Sequence, residues 1–192
     1  PKPPRASRRQ RQMCIRDRAG ALTTLVSGPV ALPTPEHVNR IGVESARDML
    51  ASCQALIGDC DIFIACAAVA DYRPAETQAD KIKKTREQVT LQLIRNPDIV
   101  SAVAATANGP FTVGFAAETN QVLGYARDKM QRKGLEMIIA KDVSDTAIGF
   151  NSDDNEVTVL WPGGECALSR AGKDAIARGI VGLIAERLAG GD

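Results

Sequence analysis

Three lysines lie close together in the polar stretch Pro74–Arg86, at Lys81, Lys83 and Lys84. Ammonium groups hold polyanions such as triphosphates, and a lysine also stabilises the charge that develops as pyrophosphate leaves. A run of like charges is also the ordinary composition of a solvated loop. The stretch is therefore predicted to be a basic flap, with triphosphate binding as the functional interpretation and a solvated loop as the alternative.

A helix start is predicted at Asn96-Pro97-Asp98-Ile99. Asn96 suits the N-cap, Pro97 suits the first helical position, and Asp98 complements the helix dipole. Free backbone N–H groups at such an end bind anions, although an ordinary capped helix carries the same pattern. Asp98 itself would repel a phosphate unless it faces away or takes a metal ion or a ribose hydroxyl.

Two lysines, Lys129 and Lys133, are four residues apart on a predicted helix and share a face. Like charges at this spacing repel each other, and a phosphate between them would relieve the repulsion. The alternative is a solvated face on which Asp128 and Glu136 compensate the two charges.

A predicted strand ends in small residues at Gly114–Thr119. Small side chains let a ligand approach the backbone, and the ring of Phe115 could stack on a base. Tight packing of a helix on the sheet would select the same small residues. The pattern therefore leaves ligand binding and packing equally open.

Strands alternate with helices along most of the chain, which predicts an α/β fold of three layers with a mostly parallel, Rossmann-like sheet and a small β-hairpin and flap extension. The run Asp61–Val69 is almost continuously apolar, as in a central strand covered on both faces. Ligands bind beyond the carboxyl ends of such strands. We therefore expect Asp71, the flap, Asn96 and Glu118 along one rim of the sheet. The predicted strands are 22–27, 38–43, 61–69, 89–94, 111–115, 137–140 and the hairpin 157–160 with 166–168, and the predicted helices are 44–57, 96–106, 120–133 and 171–188.

Several classes of protein are disfavoured by composition. The 192 residues are 44% hydrophobic and carry a net charge of +1, so the overall charge gives no reason to expect binding to nucleic acid. Five cysteines without zinc spacing predict thiols in a reducing cytoplasm, and His37 is the sole histidine of the sequence. No apolar run approaches the about 20 residues that span a bilayer, and the polar start does not resemble a signal peptide. Neither a Gly-x-Gly-x-x-Gly nor a Walker A motif follows a predicted strand.

The order of these motifs resembles that of the phosphopantothenoylcysteine synthetases. The resemblance rests on Ala67–Tyr72, Lys81–Lys84, Asn96–Ile99 and Gly114–Thr119, read in that order. It extends to Val26–Val30 and Pro33–Pro35 on one side and to Gly149–Asp153 and Asn155 on the other. It covers residues 22–188, and the lysine motif together with the Ala-Ala-Val-Ala-Asp motif makes it specific.

The resemblance implies ligation of cysteine to 4′-phosphopantothenate in coenzyme A biosynthesis. In the bacterial family CTP and Mg²⁺ are used, an acyl-cytidylate forms with loss of pyrophosphate, and the enzyme is a homodimer whose interface includes the strand after the flap. By position, Lys81 would be the catalytic lysine of the first half-reaction. The nucleotide-binding residues implied are Ala65, Cys66, Ala67, Asp71, Lys81, Asn96, Pro97, Asp98, Ile99, Phe115, Lys129 and Lys133, and metal ligands are not implied.

Residues 1–20 depart from the family pattern. Six arginines crowd this stretch, and 8–16 match no part of the Ser-Asn-x-Ser-Ser-Gly-Lys-like segment expected there. We expect residues 1–20 to be a disordered or non-native basic segment and 21–190 to be a synthetase domain that is incomplete at its amino-terminal end. Three alternatives therefore stay open, namely a catalytically incomplete nucleotide-binding fragment, a Rossmann-type NAD(P) oxidoreductase, and a nucleic-acid binder that uses the basic arm.

Overall fold

The computed structural model describes residues 20–76, 87–144 and 154–190. The strands in these ranges are β1 (Thr23–Ser27), β2 (Val38–Gly42), β3 (Ile62–Ala65), β4 (Tyr72–Pro74), β5 (Leu93–Arg95), β6 (Phe111–Glu118), β7 (Met137–Asp142), β8 (Asp154–Trp161) and β9 (Gly164–Gly172). The helices are α1 (Ala46–Leu56), α2 (Ile99–Ala104), α3 (Val122–Lys133) and α4 (Lys173–Ala189), with a 3₁₀ turn at Ile57–Asp59.

Five strands form the main sheet, in the order β3-β6-β7-β8-β9. Strands β3, β6 and β7 are mutually parallel, whereas β8 pairs antiparallel with β7 and with β9. Strand β8 alone therefore runs against the other four. Two smaller pairs complete the described strands, with β1 and β2 parallel and β4 and β5 antiparallel. The predicted mostly parallel, Rossmann-like α/β fold is confirmed.

Helices cover both faces of the main sheet, which gives the three predicted layers. On one face, α4 packs Ile176, Ile180 and Ile184 against Met137 and Ile139 of β7. On the other face, α3 packs against Ile138 and its neighbours, with α2 beside it. Consecutive residues of β7 therefore point into different cores, and all four residues from Met137 to Ala140 are buried as a result.

The run Asp61–Val69 was predicted as a central strand, and this prediction is wrong in both length and place. Strand β3 spans Ile62–Ala65 only, and among the described strands it pairs with β6 alone, at the edge of the sheet. Ile62 is 36% exposed in consequence. The apolar composition continues beyond Ala65, but residues 66–71 leave the sheet and form the loop that leads to β4.

The strand predicted at 89–94 is shorter and later than expected. Strand β5 begins at Leu93, and the preceding Val89 and Leu91 lie outside any strand with 61% and 65% of their surface exposed. The predicted hairpin is confirmed by β8 and β9. Its turn places Pro162 before Gly163, whose φ of 82° lies in the left-handed region that glycine tolerates.

Four sequence-based predictions fall wholly or partly on residues that the structure does not describe. They concern the basic segment 1–20, most of the flap 74–86 with its lysines, the motif 149–153, and the catalytic assignment of Lys81.

Candidate functional site

Two lysines of α3 occupy one corner of the molecule. Lys129 is half-buried, and its Nζ donates a hydrogen bond of 2.9 Å to the backbone oxygen of Phe115 in β6. One turn later, Lys133 places its Nζ 2.9 Å from Asp98 Oδ2 and 3.0 Å from Oδ1. The predicted pair therefore does share a face. Each ammonium has three donors, so both keep capacity for a further acceptor.

The charges and the burial of this corner change the pKa of Lys129. Burial of its ammonium is the largest influence and lowers the pKa below the ordinary value, and the charge of Lys133 adds to this effect. Glu118 and Asp98 act in the opposite sense. Arg132 adds a weaker effect in the same sense as Lys133, so three cations and two carboxylates lie within electrostatic reach of one another. An anion bound here would relieve the cost of the buried ammonium.

Asp98, and not the predicted Asn96, caps helix α2. Its side chain accepts a hydrogen bond of 3.1 Å from the backbone N–H of Ser101, and the helix begins at Ile99. The carboxylate therefore occupies part of the anion position that the free N–H groups offer. Partial burial opposes its ionisation, but the hydrogen bonds from Lys133 and Ser101 outweigh burial and lower the pKa of Asp98 below its ordinary value.

We expect Asp98→Asn to lower the free energy of unfolding at pH 7, since asparagine still caps the helix but loses the ion pair with Lys133. The folded-state pKa of Asp98 is depressed, so its contribution is present above about pH 4 and is lost as the pH falls through the folded value. The difference between variant and wild type should therefore disappear in acid.

Denaturant unfolding at pH 7 and pH 3 measures this effect. Glu165→Gln is the control, because it removes a carboxylate from the exposed ion pair with Arg127 and should change stability little at either pH. A difference between Asp98→Asn and wild type that is the same at both pH values would contradict the assignment.

The loop after β3 meets the junction of β5 and α2 through Asn96. The backbone N–H of Asn96 donates to the oxygen of Asp71 at 2.8 Å, and its side-chain Nδ2 donates to the oxygen of Ala70 at 2.8 Å. On the other side, Arg73 Nη1 donates to Asn96 Oδ1 at 3.1 Å. Asp71 and Asn96 are thus in contact. Asn96 precedes Asp98 by two positions, so this contact lies next to the lysine corner.

Arg73 is the polar residue at this junction that the sequence analysis did not select. A signal was available, because a cation stands two positions after Asp71 and directly before Pro74.

The alanine-rich segment lies where β3 ends. Ala65 is the last residue of β3 and pairs with Gly114 of β6, while Cys66 and Ala67 follow the strand and are exposed. Their backbone groups have no strand partner among the described residues, so they are free to meet a ligand.

The motif Gly114–Thr119 combines packing with contact to the lysine corner. A Cβ added at Gly114 would lie 2.7 Å from Leu135 Cδ1, so a larger residue there would force the end of this buried side chain to move. The ring of Phe115 is partly buried against the α4-side core, while its backbone oxygen accepts the bond from Lys129. The packing alternative therefore holds at Gly114, and at Phe115 the backbone is what reaches the site.

Two clefts lie outside the lysine corner. One, of about 620 Å³, follows the carboxyl ends of β1 and β2 and is lined by Ser27–Ala31, Arg40 and Gly42–Glu44. The other, of about 550 Å³, lies by Cys60, Asp61, Pro110 and Phe111 at the amino-terminal ends of β3 and β6. The second cleft is at the opposite edge from the predicted rim and contains none of the predicted site residues. None of the described helices is long and apolar enough to cross a membrane.

The chain is thus an α/β protein of the Rossmann-like class, with a lysine corner formed by α3, the start of α2 and strand β6. The profile of the family described as "DNA/pantothenate metabolism flavoprotein C-terminal domain" matches residues 14–188. The chain belongs to this family.

Curated relatives agree with this placement. The chain is 54% identical over 165 residues to the "Coenzyme A biosynthesis bifunctional protein CoaBC" of Vibrio vulnificus (strain YJ016), covering 84% of this chain and 41% of the relative. To the protein of the same name from Escherichia coli (strain K12) it is 47% identical over 174 residues, covering 88% and 43%. The chain thus spans about two fifths of the length of these relatives.

A solved structure gives the same result. The crystal structure of the C-terminal domain of coenzyme A biosynthesis bifunctional protein CoaBC superimposes with a TM-score of 0.78 at 32% identity, covering 94% of this chain and 81% of that one. The resemblance to the phosphopantothenoylcysteine synthetases is confirmed.

Proposed function

We propose that the chain ligates cysteine to 4′-phosphopantothenate in coenzyme A biosynthesis, and that it consumes CTP and releases CMP and pyrophosphate. The observation that carries the proposal is the pair of lysines on α3, one half-buried and one bonded to Asp98, in a chain of this family. A half-buried ammonium with unused donors is suited to bind a phosphate chain.

Two steps make up the proposed reaction. In the first, a carboxylate oxygen of 4′-phosphopantothenate attacks the α-phosphorus of CTP, the bond from that phosphorus to the leaving pyrophosphate breaks, and the acyl-cytidylate forms. In the second, the amine nitrogen of cysteine attacks the acyl carbon, the bond to CMP breaks, and the nitrogen loses a proton. Negative charge moves onto the leaving phosphate in both steps, so fixed positive charge lowers both barriers.

We assign the nucleotide to the rim between the loop 66–71 and the lysine corner. The backbone of Ala65, Cys66 and Ala67 would face the cytosine, and Asp71 would bind on the sugar or base side. Phe115 would complete the pocket. The residues that would surround the phosphates are Asn96, Pro97, Asp98, Ile99, Lys129 and Lys133, with Lys81 as the catalytic lysine.

Lys133 can serve Asp98 and a phosphate oxygen together, because its ammonium keeps a free donor. The Asp98 carboxylate would otherwise repel the phosphates, and this shared lysine compensates its charge. The start of α2 is therefore proposed to act through Lys133 more than through its own N–H groups.

Magnesium is assigned only to the nucleotide. Within 20–76, 87–144 and 154–190 there is no group of three or more His, Cys, Asp or Glu residues that could enclose a metal ion. These residues do not build a magnesium site of their own, and no step is derived through the ion. Mg²⁺ commonly binds through substrate phosphates with one or two carboxylates, so it would arrive with the triphosphate.

We also propose a homodimer in the cytoplasm. Its support is a row of apolar side chains at and before the β4–β5 pair, where Tyr72, Val89, Leu91 and Leu93 are each at least half exposed. Apolar surface of this kind is usually covered by a partner. Sedimentation equilibrium should give twice the chain mass, and a monomer at micromolar concentration would contradict the proposal.

Calorimetric titration with CTP and then ATP, in magnesium, tests the proposed function first. We expect CTP to bind with little response to ATP, and we expect pyrophosphate to be released only when 4′-phosphopantothenate is added. Binding of CTP without pyrophosphate release would instead identify a nucleotide-binding fragment of the same fold. Failure to bind either nucleotide would contradict the proposal.

A further inference from the structure

Arg73 links two segments of the chain that are distant in sequence. From β4, its Nη1 donates to the backbone oxygen of Arg95 and to the side-chain oxygen of Asn96. Asn96 in turn donates from Nδ2 to the oxygen of Ala70 at 2.8 Å. We call the two side chains, Arg73 and Asn96, with these three hydrogen bonds the brace.

Among the described residues, Asn96 supplies the hydrogen bonds that hold the loop 66–71. Strand β4 has three residues and pairs with three residues of β5, so the β4–β5 ladder is short. The loop 66–71 lies between this ladder and β3, and both Ala70 and Asp71 are hydrogen-bonded by Asn96. Both polar atoms of the Asn96 side chain therefore form hydrogen bonds within the protein. Oδ1 accepts from Arg73, and Nδ2 donates to the oxygen of Ala70.

The two segments that the brace joins carry different parts of the proposed nucleotide site. The loop 66–71 supplies the groups assigned to the base and sugar, including Asp71. The junction after β5 leads within two residues to Asp98 and its bond to Lys133, which were assigned to the phosphates. The brace thus sets the spacing between the nucleoside side and the phosphate side.

We propose that Arg73 is a positioning residue, which acts through Asn96 to hold the loop 66–71 at the correct distance from the Asp98–Lys133 pair. The inference rests on the proposed function. Its chemical basis is the planar guanidinium, whose Nη1 carries two N–H groups in fixed directions, one for each of the two oxygens. The ammonium of lysine rotates freely and lacks this fixed geometry. Both acceptors of Arg73 in the brace are uncharged oxygens, so these contacts are hydrogen bonds and not an ion pair.

A role in spacing differs from direct contact in what it does to ligand fragments. If Arg73 only holds the two halves in register, its loss should weaken binding of CTP but not of cytidine or pyrophosphate, each of which needs only one half. If Arg73 contacts the ligand directly, the fragment that it contacts should weaken as much as CTP does.

The test compares Arg73→Ala, Arg73→Lys, Asn96→Ala and the double variant Arg73→Ala/Asn96→Ala with wild type, by titration with CTP, cytidine and pyrophosphate. We expect each substitution to weaken CTP binding about tenfold, and we expect the double variant to be no worse than the single ones, because residues in one hydrogen-bonded unit are not additive. The comparison of fragments is made on the Arg73 variants, because Asn96 itself is assigned to the phosphates. Arg127→Ala is the matched control, since it removes an equal charge from an exposed ion pair with Glu165.

Hydrogen exchange supplies a readout that needs no ligand. The Asn96 amide, which donates to Asp71, should exchange faster in Arg73→Ala and Arg73→Lys than in wild type or Arg127→Ala. Unchanged exchange, full rescue of CTP binding by lysine, or equal weakening of a fragment would each overturn the positioning role. If wild type fails to bind CTP while the exchange effect is present, it is the proposed function that fails, and the brace is left as a feature of the fold alone.

Discussion

Replacing Lys129 with methionine is expected to weaken CTP binding about ten- to hundredfold, the range that corresponds to loss of a charged hydrogen bond. The same change should leave the melting temperature equal to that of wild type or raise it. The buried ammonium disfavours its own charged state, as its lowered pKa shows, and methionine fills a similar volume without that cost. Titration calorimetry and thermal unfolding measure the two effects on the same sample.

Arg132→Met is the control for Lys129→Met. Arg132 lies on the same helix and contributes to the potential at Lys129, but it is exposed. Its loss should therefore change CTP affinity much less. A Lys129→Met variant that is strongly destabilised, or one that binds CTP as wild type does, would show that Lys129 serves the fold and not the ligand.

The role of Lys129 can also be tested through the pH dependence of stability. Its folded-state pKa lies below the ordinary value, so the unfolded chain binds more protons between the folded and the unfolded pKa. Stability from this group should therefore rise with pH in the alkaline range up to about 10.4, the unperturbed value, and Lys129→Met should lack this rise. CTP affinity should fall over the same range.

Replacing Lys81 with alanine is expected to slow acyl-cytidylate formation about 100- to 1000-fold, the cost of removing one donor from a site that stabilises developing charge. The structure does not describe Lys81, so the prediction rests on the motif alone. CTP binding should change less than the rate does, because Lys129 and Lys133 remain. Single-turnover release of pyrophosphate, with CTP and 4′-phosphopantothenate but without cysteine, measures the step.

Lys83→Ala and Lys84→Ala are the matched controls, since they remove the same charge from the same stretch. A general effect of basic charge would slow all three variants alike. Acyl-cytidylate formation that is unchanged in Lys81→Ala would refute the assignment of Lys81.

Sequence patterns predicted the helices and strands better than they predicted which strands pair. The buried strand at β6, the helix that ends at Gly134 and the hairpin at Gly163 follow from local signals such as apolar runs and left-handed glycines. The place of β3 does not follow from them. Residues 61–69 have the composition of a central strand, but which strands pair is decided by distant segments that no local period encodes.

The same limit applies to the candidate site. Asn96 and Asp98 are equally good N-caps by residue type, and Lys133, which is 35 residues away, bonds the aspartate. Lys129 donates to a backbone oxygen, an acceptor that every residue possesses and that no motif can single out. The sequence therefore predicted side chains that lie close together in the structure, and it missed the contacts that orient them.

Phe115 belongs to two neighbourhoods at once, with its ring in the core beneath α4 and its carbonyl on the ammonium of Lys129. A change in that core, caused by heat or by repacking, can therefore displace the Phe115 carbonyl and with it the Lys129 ammonium, without any substitution in the lysine corner itself. We expect variants selected for higher thermal stability by repacking of the core beneath α4 to change nucleotide affinity as well. On warming, affinity would decline before the fold is lost.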